Sequence, residues 1–153
     1  MQKAFFMAVA SACILLAAPP AHAAQIEGCD EVGRAAFIVE PWEQNSKTFY
    51  KGQIRVAYID TGGEPVCCSG YLLLLVPDRE SETADRACYV IGKKTGVGFA
   101  SISFSAARAS YDPREGLLIV FPFTTMKEED GQTAERGTAR VRINVATGKV
   151  IVE

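Results

Sequence analysis

Short apolar runs of period two, each closed by a turn signal, recur along this chain about every ten residues, and that rhythm predicts an all-β fold. In Gln53–Tyr58 the alternation puts Ile54, Val56 and Tyr58 on one face, and Asp60-Thr61-Gly62-Gly63-Glu64-Pro65 ends the strand. Tyr71–Val76 is apolar on both faces and stops at Pro77, as a central strand covered on both sides would. Asp78–Arg86 reads as a solvated loop and Ala87–Ile91 as the returning strand. Ala100, Ile102, Phe104 and Ala106 alternate with Ser101, Ser103 and Ser105, the clearest strand pattern in the chain. Turn residues Tyr111–Gly116 lead into Leu117–Phe121, where Pro122 predicts an edge or a bulge. A second charged loop spans Lys127–Gly137, and Arg140–Val145, Ala146-Thr147-Gly148 and Lys149–Val152 form a terminal hairpin. Between Ala24 and Asn45, Ala35–Glu40 reads as a first strand, with one or two helical turns over Asp30–Ala36 as the alternative. About seven or eight strands without a long amphipathic helix predict an antiparallel β-sandwich or small barrel.

The N-terminus has a different character. Lys3 precedes the apolar run Ala4–Ala18, and Pro19-Pro20 and Ala21-His22-Ala23 follow. This is the pattern of a signal peptide, 1–23, cleaved before Ala24, which leaves one domain over 24–153. The run is short for a bilayer span and no second one follows, so the expectation is a periplasmic or secreted chain with no transmembrane span. A lipobox at Ala10-Ser11-Ala12-Cys13 is the rival reading, but the apolar run continues beyond Cys13.

Charge and composition then remove several function classes. Without Lys3, 15 of the 16 Lys+Arg face 18 Asp+Glu, a net charge of −3 that offers no footprint for nucleic acid. The single histidine, His22, lies in the leader. The domain therefore has no imidazole for a Ser-His-Asp triad, a Cys-His pair, a zinc site or a general base. Carboxylate chemistry and Ser-Lys dyads remain open.

Four cysteines fall within the domain: Cys29, Cys67, Cys68 and Cys88. An even count in an exported chain reads as two disulfides. Neighbours on a strand face opposite sides, so Cys67 and Cys68 are expected to reach different partners, one at Cys29 and one at Cys88. A vicinal Cys67–Cys68 bond would close a strained ring. Redox or metal chemistry would normally use a Cys-x-x-Cys spacing, absent here, so the four thiols are assigned to structural staples.

Other candidate sites are weaker. Glu128-Glu129-Asp130-Gly131 lacks the alternating oxygen ligands of a calcium loop and reads as solvated. Ser101, Ser103 and Ser105 suit the wet face of a half-exposed strand. Trp42, the only tryptophan, is expected to cap the core, with a surface anchor as the alternative. Ser69-Gly70 has no base within its own strand.

The run Gly52-Gln53-Ile54-Arg55 through Asp60-Thr61-Gly62-Gly63-Glu64-Pro65, with Gly98-Phe99, Ser110-Tyr111-Asp112-Pro113 and Gly116-Leu117-Leu118, resembles a group of short uncharacterised secreted proteins of Gram-negative bacteria. That resemblance implies export and no particular activity. Asn144-Val145-Ala146-Thr147-Gly148-Lys149-Val150 is similar to the terminal hairpin of PepSY-type domains, periplasmic modules linked to peptidase inhibition, although the helix such domains carry upstream is missing here.

These readings converge on a non-enzymatic periplasmic binding or interaction module without a cofactor or metal. It would present loops or a strand edge to a protein or envelope component. The alternatives are a carboxylate-dependent hydrolase of cell-wall polysaccharide, drawing on Asp112, Glu115 and Glu128, or an inhibitor of a wall-degrading enzyme.

Overall fold

The computed structural model describes residues 24–62 and 67–153; the expected leader, with Cys13, and residues 63–66 of the first turn lie outside the described residues. Ten strands form two antiparallel five-stranded sheets. The first sheet has the order β1 (Gln25–Gly28), β5 (Arg86–Gly92), β4 (Gly70–Pro77), β3 (Ile54–Asp60) and β2 (Ser46–Phe49). The second runs β10 (Lys149–Val152), β9 (Ala134–Asn144), β8 (Gly116–Met126) and β6 (Ser101–Ile102), while β7 (Arg108–Asp112) also pairs with β8. The antiparallel sandwich expected from period two is present, with disulfides.

Alternation decides which side chains meet between the sheets. Ile54, Val56, Leu72, Leu74, Val76 and Ile91 face Leu117, Ile119, Phe121, Phe123, Val141 and Ile143 in one continuous core. The all-apolar strand is central, as its composition demands. Leu72 and Leu74 enter the core, while Tyr71 and Leu73 pack on the outer face with Ala57, Ile59 and Val90, under Cys29, Val32, Phe37 and Ile38. β3 is consequently buried on both faces, where its alternation predicts one.

Three boundaries differ from expectation. The serine-rich segment is a strand only at Ser101–Ile102, after which Phe104–Ala106 forms a 3-10 turn that still drives Phe104 inward. Pro122 marks the place: its carbonyl accepts from the Ser103 amide, but it has no N–H to return, and the ladder along that side of β8 breaks. β7 then resumes the pairing at Arg108↔Val120. The second charged loop is also shorter than expected, because Ala134–Gly137 pairs with Phe123–Met126 as part of β9. In the N-terminal segment, Ala35–Glu40 is not a strand: Ala35–Phe37 is a 3-10 turn, only Ile38 makes a bridge, to Ile59, and a single helical turn, α1 (Trp42–Asn45), follows.

Among the described residues the core holds one polar defect. Thr125, 1% exposed, has a hydroxyl with no hydrogen-bond partner. Thr125→Val keeps the shape and removes the unsatisfied oxygen, so it should raise stability by about 1 kcal/mol. Urea unfolding at constant m-value checks this; a loss of stability would show that the hydroxyl is bonded in solution.

Candidate functional site: an aromatic edge of the sandwich

The free edges of β2 and β7 lie on the same side of the molecule, and exposed rings collect there. Trp42 is 51% exposed, Tyr50 45% and Tyr111 54%, three of the four large apolar side chains that are exposed among the described residues. The fourth, Ile151, is on β10 at the opposite end of the second sheet.

Local structure explains why each ring is out. Trp42 begins α1, whose turn is tied down by the Ser46 hydroxyl donating to the Trp42 carbonyl at 2.7 Å and by the Asn45 amide donating to the carbonyls of Glu40 and Pro41. Tyr50 sits in the β2–β3 turn with φ 54°, a left-handed conformation shared by Lys51 and continued at Gly52. Tyr111 is in β7, which has the second sheet on one flank only and is exposed throughout. The Tyr50 and Tyr111 rings meet at 5.9 Å, closing the mouth between the two sheets. Hydrogen bonding to Tyr50 raises the Tyr111 phenol above its ordinary pKa.

Cations accompany these rings. Lys47 of β2 holds its Nζ 5.4 Å from the centre of the buried Phe104 ring, and Arg108 of β7 lies across from Val120. Lys47, Phe49, Phe104, Ala107 and Arg108 line a narrow crevice that leads from this edge toward Leu72 and Ile119 in the core. Lys51 and Arg114 follow closely after the two tyrosines. Acids lie nearby too: the Asp112 carboxylate accepts from the Arg114 and Glu115 amides, Glu115 pairs with Arg142 at 2.7 Å, and the exposed Glu40 and Glu43 flank Trp42. Aromatic rings and cations beside unpaired strand edges are the composition of a recognition surface.

Of the acids expected to serve a hydrolase, Asp112 and Glu115 share the turn before β8 and are engaged there, Asp112 by the Arg114 and Glu115 amides and Glu115 by Arg142. Glu128 follows the far end of β8, about 33 Å of extended chain away and well beyond the 5 to 10 Å of a glycosidase pair. Glu128 is engaged by Lys94 at 3.4 Å and Lys93 at 3.8 Å. Asp130 is held down to about 2, chiefly because its carboxylate accepts from the Thr133 hydroxyl and then from the Thr133 and Gln132 amides; it shapes its own turn. Ser101, Ser103 and Ser105 are all exposed. Among the described residues no cluster of three or more His, Cys, Asp or Glu could hold a metal ion, and no helix is long and apolar enough to cross a membrane.

The cysteine pairing corrects the sequence reading. Cys29 bonds Cys88, with Cα atoms 5.3 Å apart, and Cys67 bonds Cys68. The opposite-faces rule requires a strand, but Cys67 has φ 59° and β4 begins only at Gly70. The β1–β5 register pairs Gly28 with Tyr89, so the next step places Cys29 beside Cys88. Trp42 is likewise corrected: it is outside the core. Tyr50, Tyr111 and Arg108 are missed by sequence reasoning, although bulky rings set among Lys51-Gly52 and Asp112-Pro113 were the available signal. No family model, curated protein or solved structure matches the chain.

Proposed function

We propose that the protein is an exported, non-enzymatic interaction module of the periplasm that grips an acidic segment of an envelope protein along its β2/β7 edge. The observation that carries this reading is the gathering of Trp42, Tyr50 and Tyr111 with Lys47 and Arg108 on one edge. Aromatic and arginine side chains supply most binding energy in protein interfaces, and a cationic surround selects an acidic partner and speeds its approach. Two disulfides suit an oxidising compartment, and the pattern of residues 1–23 suits export. The engagement of Asp112 by its own turn, of Glu115 by Arg142 and of Glu128 by Lys94 supports a non-catalytic role.

A photo-crosslinking residue placed at Tyr111 in the exported protein should yield a discrete protein adduct in intact cells. The same residue at Lys149, on the far edge, should not. Arg108→Glu combined with the Tyr111 probe should abolish the adduct. Equal crosslinking at both edges, or an adduct indifferent to Arg108→Glu, would refute the proposal.

A further inference from the structure

A second feature, separate from the aromatic edge, lies on the outer face of the first sheet. There Gly33, Ala35 and Ile38 arch over Ala57, Leu73 and Leu75 and border a half-open cleft of about 360 Å³, within the range of small-molecule sites. Its floor and arch are apolar. Ser46 and Thr48 border it along β2, and Arg55 stands at one end. Lys47 also borders the cavity, but its ammonium turns to the inner side over Phe104, which leaves Arg55 as the cation of the site. Among the described residues no carboxylate pairs with Arg55.

The arch is fixed before any ligand arrives. At one end it is held by the Cys29–Cys88 bond and by the Gly33 amide donating to the Cys29 carbonyl at 2.9 Å. At the other, the Val39 amide donates to the Tyr58 carbonyl at 3.0 Å, beside the Ile38–Ile59 bridge. Gly33 is required beneath it, since a Cβ there would lie 2.5 Å from the Cys29 Cβ. The small residues Gly33, Ala35 and Ala57 leave the space open, and a preformed site avoids the ordering cost of binding.

We propose that this cleft binds a free medium-chain carboxylate: an alkyl chain of about ten carbons beneath the arch, with its carboxylate on Arg55 and the Thr48 hydroxyl. The apolar floor and arch favour a ligand with an alkyl chain, and the Arg55 guanidinium selects an anionic head over a neutral or cationic one.

The test is calorimetry of the delipidated oxidised protein with decanoate, decanol and decyltrimethylammonium. Decanoate should bind with one-to-one stoichiometry, and Arg55→Gln should weaken it at least tenfold. Decanol should bind weakly in both proteins, without responding to Arg55→Gln, and decyltrimethylammonium should not bind. Ala35→Phe, which fills the cavity from its exposed arch, should abolish decanoate binding while the thermal midpoint shows a folded protein. Failure of decanoate to bind at millimolar concentration, an undiminished affinity in Arg55→Gln, or equal binding of the cationic analogue would each overturn the assignment. A lysophospholipid that binds while decanoate does not would likewise overturn it, placing the chain chemistry in a lipid.

Discussion

Replacing both Cys29 and Cys88 by Ser should lower stability by about 4 kcal/mol, whereas replacing both Cys67 and Cys68 should cost only about 1 kcal/mol. The contrast follows from loop size in the chain-entropy view: one bond closes a loop of 59 residues in sequence separation and the other joins neighbours, so only the first restrains the unfolded chain appreciably. Location adds to it. Cys29 and Cys88 pack with the cluster beneath the arch, while Cys67 is exposed. Double variants avoid stray thiols, and urea unfolding of each against the parent gives both values. Equal losses would contradict the assignment of Cys29–Cys88 as the structural staple. The same asymmetry predicts that a mild reductant opens Cys67–Cys68 first, with two alkylated cysteines in the still-folded protein.

Phe99→Ala should be as damaging, at about 3 to 5 kcal/mol. Phe99 is fully buried and ties the two sheets together: its backbone pairs with Gly70 of the first sheet through the Phe99 amide at 2.6 Å and the Gly70 amide at 2.9 Å. Its ring packs 4.3 Å from Phe123 and edge-on to Phe121 at 6.1 Å in the second. Truncation leaves a cavity where both sheets meet, and the rigid strands on either side cannot close it. A loss below about 1 kcal/mol in denaturant unfolding would show that the sheets repack readily there.

The sandwich was legible because burial on a strand has a period of two, and wherever one face is the core the pattern names the strand. Residues 54–58 followed that rule, as did the terminal hairpin around Asn144 and Lys149, whereas 71–76 was legible as an all-apolar run stopped by Pro77. The rule fails where burial is missing. β7 is exposed along its length and the first half of β9 carries Glu135, Arg136 and Gly137, so neither has an apolar face to announce it. It also misleads at Phe104, because a 3-10 turn returns a side chain to the core as well as a strand does. The disulfides were legible as a count and illegible as pairs, since the pairing depends on the β1–β5 register and on one left-handed residue, Cys67. The aromatic edge was hardest to foresee. Trp42 and Tyr50 bracket β2, but Tyr111 lies some sixty residues further on and reaches them only through the positions of two edge strands, a tertiary fact that no local pattern encodes.

Recognition through that edge is measured by the affinity of the crosslinked partner for the parent protein and for Tyr50→Ala/Tyr111→Ala, with Ile151→Ala as the exposed apolar control. The tyrosine pair should lose about 2 kcal/mol or more, roughly thirtyfold in Kd, at unchanged thermal stability, and Ile151→Ala should change nothing. Equal affinity of all three proteins would contradict it.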